Sequence, residues 1–380
     1  MSVIRKIPLL VPSLPRIEQL LPYLREIDSN RRYTNFGPLV QRFEARILRE
    51  LNGIGRMQTV TTCNATLALE LALAAMNLPS DARVLLPATT FVATATAVLR
   101  AGYHPLLSDI DEHNWLLTPD IARAMLKTAT FDAVLPVAAF GCAQDVSAWD
   151  QFQEDYGIPV LIDAAGAFGN QEIGHRTPVI FSFHATKALG CGEGACLVSN
   201  DLALVETVRQ LSNFGINPEG GDVNLVGTNA KLSEYHAAVG LASLDNWADQ
   251  RRRYLTLTDR YLAGLQRFCP ELTLQQRPRQ GVYPILPTLL PASANAIQIS
   301  VQLEAAGIET RRWYCPPLYE HPAFRTCKQC GPLPNVDKLS ARMLGLPFHL
   351  DLSEPDIETV CHTVADLLSK DRARLESVAW

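Results

Sequence analysis

One lysine of this chain stands between an apolar strand signal and a run of glycines, in Pro178-Val179-Ile180-Phe181-Ser182-Phe183-His184-Ala185-Thr186-Lys187-Ala188-Leu189-Gly190-Cys191-Gly192-Glu193-Gly194. Pro178–Phe181 is a short β-branched and aromatic run, and Gly190, Gly192 and Gly194 permit a tight turn at low steric cost. Lys187 therefore sits on a constrained connection. A lysine that forms a Schiff base needs partial desolvation, because burial disfavours the ammonium and frees the amine. Ala185, Ala188 and Leu189 are small or apolar enough to provide it. Taken alone, the run also suits an ordinary surface lysine beside a strand.

Upstream, Pro159-Val160-Leu161-Ile162-Asp163-Ala164-Ala165 reads as a buried strand ending in an acid. Such an Asp serves equally as a helix N-cap or a metal ligand. The order strand-Asp, then strand-Lys, is more specific. Pyridoxal phosphate (PLP) needs an amine to anchor it and a carboxylate to keep its pyridine nitrogen protonated, so that the ring acts as an electron sink. A phosphate site is available as well. Thr59-Val60-Thr61-Thr62-Cys63-Asn64-Ala65-Thr66 is a strand signal turning into the apolar helix Leu67–Met76, and a helix start leaves free backbone N–H groups. The competing reading is a plain helix capped by Asn64.

The elements that must position these residues alternate. Strands are predicted at Arg83–Leu86, Pro105–Ser108 and Ala133–Val137, with helices at Phe91–Ala101, Pro119–Leu126 and Ala148–Tyr156. The pattern predicts an α/β fold, a mostly parallel sheet covered on both faces by helices. Ligands bind such sheets at the carboxyl ends of their strands. Asn64, Ala65, Thr90, Phe91, Asp163, Ser182 and Lys187 all fall just after predicted strands, which converges them on one edge. Before the sheet come a helix at Ile17–Ile27, a turn-rich arm at Arg31–Pro38 and an amphipathic helix at Leu39–Leu51. Beyond residue 245 a long basic helix, Leu244–Phe268, leads to short strands near Leu272–Leu274 and Tyr283–Leu290. A helix at Asn295–Ala306, the turn Cys315-Pro316-Pro317 and a terminal helix at Glu354–Leu368 follow. The expected division is 1–245, an arm and a large PLP-binding domain, and 246–380, a smaller α+β domain.

Composition narrows the class. With 380 residues, 47% apolar and 19% charged, the chain holds enough apolar surface for a large core. A net charge of -5 and the single basic cluster Arg251-Arg252-Arg253 argue against nucleic acid as a partner. No apolar run has membrane-span length, and Met1–Pro8 lacks the apolar core of a signal peptide. Nine scattered cysteines suit reduced thiols, so a cytoplasmic location is expected. Cys327-Lys328-Gln329-Cys330 has metal-like spacing, but no second pair accompanies it and His321 and His349 lie in no recognised arrangement. No metal is expected.

In these motifs the chain resembles the sugar-nucleotide aminotransferases, the DegT/StrS-type branch of the fold-type I PLP enzymes. The resemblance runs from Thr34-Asn35-Phe36-Gly37-Pro38 to Leu346-Pro347-Phe348-His349. It rests on Ser182, Phe183, Thr186, Lys187 and Gly192-Glu193-Gly194, which match a Ser-Phe-x-x-Thr-Lys run with a following Gly-Glu-Gly. By this resemblance Lys187 and Asp163 are catalytic, Lys187 anchoring PLP and Asp163 pairing with its ring nitrogen. Ser182 and the Asn64-Ala65-Thr66 turn hold the phosphate, with Ala65 where glycine is usual, and Phe91 stacks on the ring. Asn229, in Gly227-Thr228-Asn229-Ala230-Lys231, reaches the phosphate of a neighbouring subunit, which implies a homodimer with shared sites. Thr34, Asn35 and Tyr314 contact substrate.

The implied reaction moves an amino group from glutamate or glutamine to a nucleotide-linked keto-deoxysugar at C4, the Thr34–Pro38 segment resembling C4-acting members. A C3 ketone or a ketocyclitol is the alternative. Gly166 departs from the family, which often has Gln or His there near the cofactor's ring hydroxyl. That departure motivates another reading, a PLP-binding regulator or scaffold with weak or no catalysis. His184 is read as packing rather than facing substrate.

Overall fold

The computed structural model describes residues 6–51 and 57–378, with side chains to residue 373. Met1–Arg5, part of the segment read above for a leader, lie outside the described residues. In chain order the helices are α1 (Ile17–Asn30), α2 (Pro38–Glu50), α3 (Ala65–Ala75), α4 (Val92–Arg100), α5 (Pro119–Met125) and α6 (Val146–Tyr156), then α7 (Leu202–Leu211), α8 (Glu234–Asp245), α9 (Trp247–Phe268), α10 (Ala296–Ala305), α11 (Pro334–Arg342) and α12 (Glu354–Val378). The strands are β1 (Gln58–Thr62), β2 (Arg83–Pro87), β3 (His104–Ser108), β4 (Ala133–Val134), β5 (Ile162–Asp163) and β6 (Val179–Ser182), then β7 (Ala195–Ser199), β8 (Thr273–Leu274), β9 (Leu286–Leu289), β10 (Lys328–Gln329) and β11 (Met343–Leu346).

Strands β1-β7-β6-β5 and β4-β2-β3-β10 form two hydrogen-bonded ribbons, which the parallel bridges Val134–Val160 and Val137–Asp163 join into one sheet. β7 alone runs against its neighbours β1 and β6; the remaining ladders are parallel. Alternation along each strand sends side chains to opposite faces. Val84, Leu86, Leu161, Ile180 and Leu197 enter one core with α3, α4 and α7. Leu85, Val160, Ile162, Val179, Phe181 and Val198 enter another with α2, α6, α8 and α9. Both faces are covered, so the strands read as near-continuous apolar runs. The mostly parallel, helix-covered sheet matches the fold class read from sequence. In the C-terminal part, β11-β9-β8 form a small antiparallel sheet beside α10 and α12.

Several elements differ from expectation. The long basic helix is two helices, broken at Asn246, whose φ/ψ of -102/2 leaves the helical range. Its side chain donates from Nδ2 to the Ala242 carbonyl at 2.9 Å and accepts from Gln19 at 3.1 Å, and such local bonding competes with the helix ladder. The terminal helix runs to Val378, well past Leu368. Strand β7, every residue buried, has no alternation and follows the glycine run, so neither period marks it. Cys327 packs against one core and Cys330 against the other.

Candidate active site

The parallel strands all end on the edge where the candidate residues gather. Asn64, Ala65, Thr66, Phe91, Asp163, Ser182, Lys187 and Tyr314 line one cavity of about 790 Å³. Thr34, Asn35 and Asn229 do not line it; all three are exposed. His184 is read above as packing, yet its half-exposed side chain lines the cavity, held by Thr186 Oγ1 at 2.9 Å from Nδ1.

Lys187 is fixed by its own turn. After β6, the Phe183 N–H donates to the Gly194 carbonyl, the Ala185 N–H to Gly192 and the Lys187 N–H to His184. Gly192 closes the turn with φ +91°, a conformation that strains any side chain. Its position also presses against the His236 ring, 3.3 Å from where a Cβ would sit. The lysine is partly buried and lines the cavity. Burial drives its ammonium pKa down, opposed by the charge of Asp163.

Asp163 ends β5 with 4% exposure. Its Oδ2 accepts from Thr94 Oγ1 at 2.8 Å and its Oδ1 from the Ala165 N–H at 3.1 Å. Burial pushes this carboxyl up, while Thr94, the Ala165 N–H and Lys187 oppose the shift. Asp163 and Lys187 share the cavity yet form no direct ion pair among the described residues. Each disfavours its own charge by burial and favours the other's across the gap. Tyr314 stacks on Phe140 with centroids 4.9 Å apart, and burial, with Asp163 behind it, holds its phenol protonated. Burial also raises the Cys63 thiol, so this cavity-lining cysteine stays neutral.

PLP fits the residues present. The cavity lies within the roughly 300–1,000 Å³ of small-molecule sites. α3 opens on it, and Asn64 caps that helix by accepting from the Leu67 N–H at 2.9 Å. The Ala65 and Thr66 N–H groups, in its first turn, have no intrahelical acceptor. The two expectations for Asn64 are therefore compatible: the cap shapes the turn that offers the N–H groups to a phosphate. Phe91 precedes α4 and is 57% exposed, so it is no core phenylalanine, and its ring is free to stack. Gly166 lines the cavity, and a Cβ there would meet nothing nearer than 3.5 Å, so packing does not demand glycine.

Sequence reasoning missed Thr94, which orients the buried acid. Its signal was a β-branched hydroxyl one helical turn beyond Thr90, on a face that must point at the sheet. The segment Glu309–Tyr314, which by its resemblance to the family is expected to line the sugar pocket, contributes Arg311 and Trp313 to the cavity beside Tyr314.

A family model for the DegT/DnrJ/EryC1/StrS aminotransferase family matches residues 16–365. Protein Rv3402c of Mycobacterium tuberculosis is 32% identical, over 96% of this chain and 91% of its own length. The dTDP-4-amino-4,6-dideoxy-D-glucose transaminase of Shigella dysenteriae is 28% identical (94% and 97%), and the UDP-2-acetamido-2-deoxy-3-oxo-D-glucuronate aminotransferase of Pseudomonas aeruginosa 29% (86% and 89%). Among solved structures, DesI in the presence of its TDP-sugar product superposes with a TM-score of 0.87 at 28% identity, covering 100% of this chain and 97% of its own. The chain belongs to the DegT/DnrJ/EryC1/StrS aminotransferase family and is a PLP-dependent aminotransferase.

Proposed function

We propose that this aminotransferase moves an amino group from glutamate or glutamine to C4 of a nucleotide-linked keto-deoxysugar. The observation that carries the transfer chemistry is a partly desolvated lysine facing a buried, hydrogen-bonded carboxylate across an open cavity. The nucleotide-linked sugar acceptor is supported by the Shigella relative and by DesI, and its C4 position by the Shigella relative. The Pseudomonas relative supports a C3 ketone as the second reading. Membership of an aminotransferase family favours an enzyme over a regulator or scaffold.

When bound, PLP supplies an aldehyde that joins amines covalently and a ring that accepts the electrons of a neighbouring carbanion. Lys187 anchors it through Nζ. With PLP bound, the Lys187 Nζ would also be the group placed to take up and give back a proton, and burial lowers its pKa in favour of the neutral amine that task needs. Asp163 holds a proton on the ring nitrogen through its charge. The Ala65 and Thr66 N–H groups and the Ser182 hydroxyl grip the phosphate, and Phe91 covers one ring face.

The segment 213–229 supports a shared site in a homodimer. It projects as a hairpin bridged at Asn213–Asn229 and Ile216–Val223, with Phe214, Val223 and Val226 exposed. Asn229, held by Lys231 Nζ at 2.8 Å, would reach the phosphate of a second copy. Thr34 and Asn35 lie on an exposed loop, from which they would meet substrate in the site of a second copy. Residues 1–245 would form the cofactor-binding unit and 246–380 the smaller one. Nine free cysteines support a reducing, cytoplasmic setting; among the described residues no helix is long and apolar enough to cross a membrane.

The test is the visible spectrum of the PLP-loaded protein with excess glutamate, then with glutamine, followed by dTDP- and UDP-linked 4-keto and 3-keto sugars. Conversion of the cofactor by the donor and its reversal by a 4-keto sugar are expected. Reversal by 3-keto sugars alone would move the reading to C3, and reversal by no nucleotide sugar would refute it.

A further inference from the structure

The cavity holds more cationic side chains than the transfer chemistry uses. Lys187, Arg100 and Arg311 line it, and Lys187 is spent on the cofactor. Arg100 is spent too, its Nε bonding Glu70 Oε2 at 2.7 Å. Arg311 differs. Among the described residues its guanidinium has no acidic partner and no side-chain hydrogen bond. Its position is nevertheless fixed. The Arg311 backbone exchanges two hydrogen bonds with Gly345, at 2.7 and 3.2 Å, which joins its segment to β11. The guanidinium carbon then lies 4.8 Å from the Trp313 ring centroid.

Stacking on an aromatic face holds the guanidinium and leaves its N–H edges free, the geometry that suits paired oxygens of a phosphate or carboxylate. Which anion it meets follows from depth. A donor amino acid carries its α-carboxylate one carbon from the reacting nitrogen, so that anion stays near Lys187, and the second carboxylate carbon of glutamate lies only three bonds beyond the α carbon. Arg311 is exposed at the rim. A nucleotide-linked sugar, by contrast, places its ketone at the lysine and its diphosphate beyond the sugar ring, toward the mouth.

We propose that Arg311, braced by Trp313, binds the diphosphate of the nucleotide-linked acceptor and thereby sets selectivity for nucleotide-linked over free sugars. This rests on the nucleotide-sugar reading above. A charge-assisted contact of this kind is worth roughly ten- to a hundred-fold in affinity.

The experiment titrates dTDP and UDP into the PLP-loaded dimer by calorimetry for wild type, Arg311→Gln and Arg311→Lys, and measures the glutamate half-reaction on the same samples. Expected is a ten- to hundred-fold rise in Kd for the nucleoside diphosphate in Arg311→Gln, a smaller rise in Arg311→Lys, and an unshifted glutamate dependence, which also reports that the variants are folded. Wild-type binding of dTDP or UDP that Arg311→Gln leaves unchanged overturns the role of Arg311 alone. A shift confined to the glutamate dependence overturns it in favour of the donor carboxylate. Failure of the wild type to bind either nucleotide overturns the nucleotide-sugar reading and this proposal with it.

Discussion

Asp163→Asn isolates one charge at constant shape. The amide oxygen still accepts from the Ala165 N–H, and the Thr94 hydroxyl, already 2.8 Å from Thr90 Oγ1, can turn to accept from the new NH₂. Exchanging one buried charge for a neutral, hydrogen-bonded group should move folding stability by no more than about 1–2 kcal/mol. The electrostatic effect is far larger. In the cofactor-free protein, burial depresses the Lys187 pKa and Asp163 opposes that shift. Removing the negative charge removes the opposition, so the lysine pKa falls further. In the loaded enzyme the charge that keeps the ring nitrogen protonated is gone, and turnover should fall by on the order of 10²–10³. The first quantity is read by amine labelling of Lys187 against pH, quantified on its peptide by mass spectrometry. The second comes from steady-state transamination. A labelling midpoint that moves up, or turnover that stays at the wild-type level, would show that Asp163 does not act on this lysine and cofactor through its charge.

Three further outcomes follow from the geometry. Lys187→Ala should keep the wild-type far-UV spectrum yet lose both turnover and borohydride trapping of PLP on the protein; trapping at another lysine would relocate the anchor. Glu234, 1% exposed, accepts the buried N–H groups of Leu39 and Val40 at 2.9 and 2.8 Å, so Glu234→Ala should cost roughly 2–6 kcal/mol in denaturant titrations and Glu234→Gln about half; equal and small losses would refute the cap. His349 is buried and its pKa is lowered from 6.5 chiefly by desolvation, with Asp351 opposing. The unfolded chain therefore binds this proton more readily, and stability should fall as pH drops below about 6.5, by up to ~1.4 kcal/mol per unit, a slope that His349→Gln should flatten.

Where the chain repeats a strand and then a helix, its fold was legible, because a parallel sheet buried on both faces leaves continuous apolar strands between amphipathic helices. Legibility failed where that logic is interrupted. β7 runs antiparallel without a helical crossover, and its sequence Ala195-Cys196-Leu197-Val198-Ser199 follows a glycine turn with no period to mark it. At the break, Asn246 also accepts from Gln19, far away in sequence, a contact that no local pattern announces. Pairing in β10 is likewise set by β3, not by Lys328 and Gln329 themselves.

The site divides along the same line. Lys187, Asp163, Asn64 and Phe91 each end a strand or begin the next connection, so position in the repeat was enough to place them on one edge. Their environment was not encoded so locally. The hydroxyl that orients Asp163 comes from α4, the ring beside Tyr314 from the turn after β4, and the unpaired cation from the segment that joins β11. Glu234 shows how far such support reaches, since one carboxylate at the start of α8 fastens the N-terminus of α2. A Cβ on Gly37 would come within 2.7 Å of it, so a side chain at the end of the exposed loop carrying Thr34 and Asn35 would displace the carboxylate that caps α2. The loop is therefore held at one end by the Glu234 carboxylate and at the other by the Tyr33 carbonyl, which accepts from the Glu234 N–H at 3.0 Å. An anchored yet exposed loop would suit residues presented to a second copy of the chain, as proposed above.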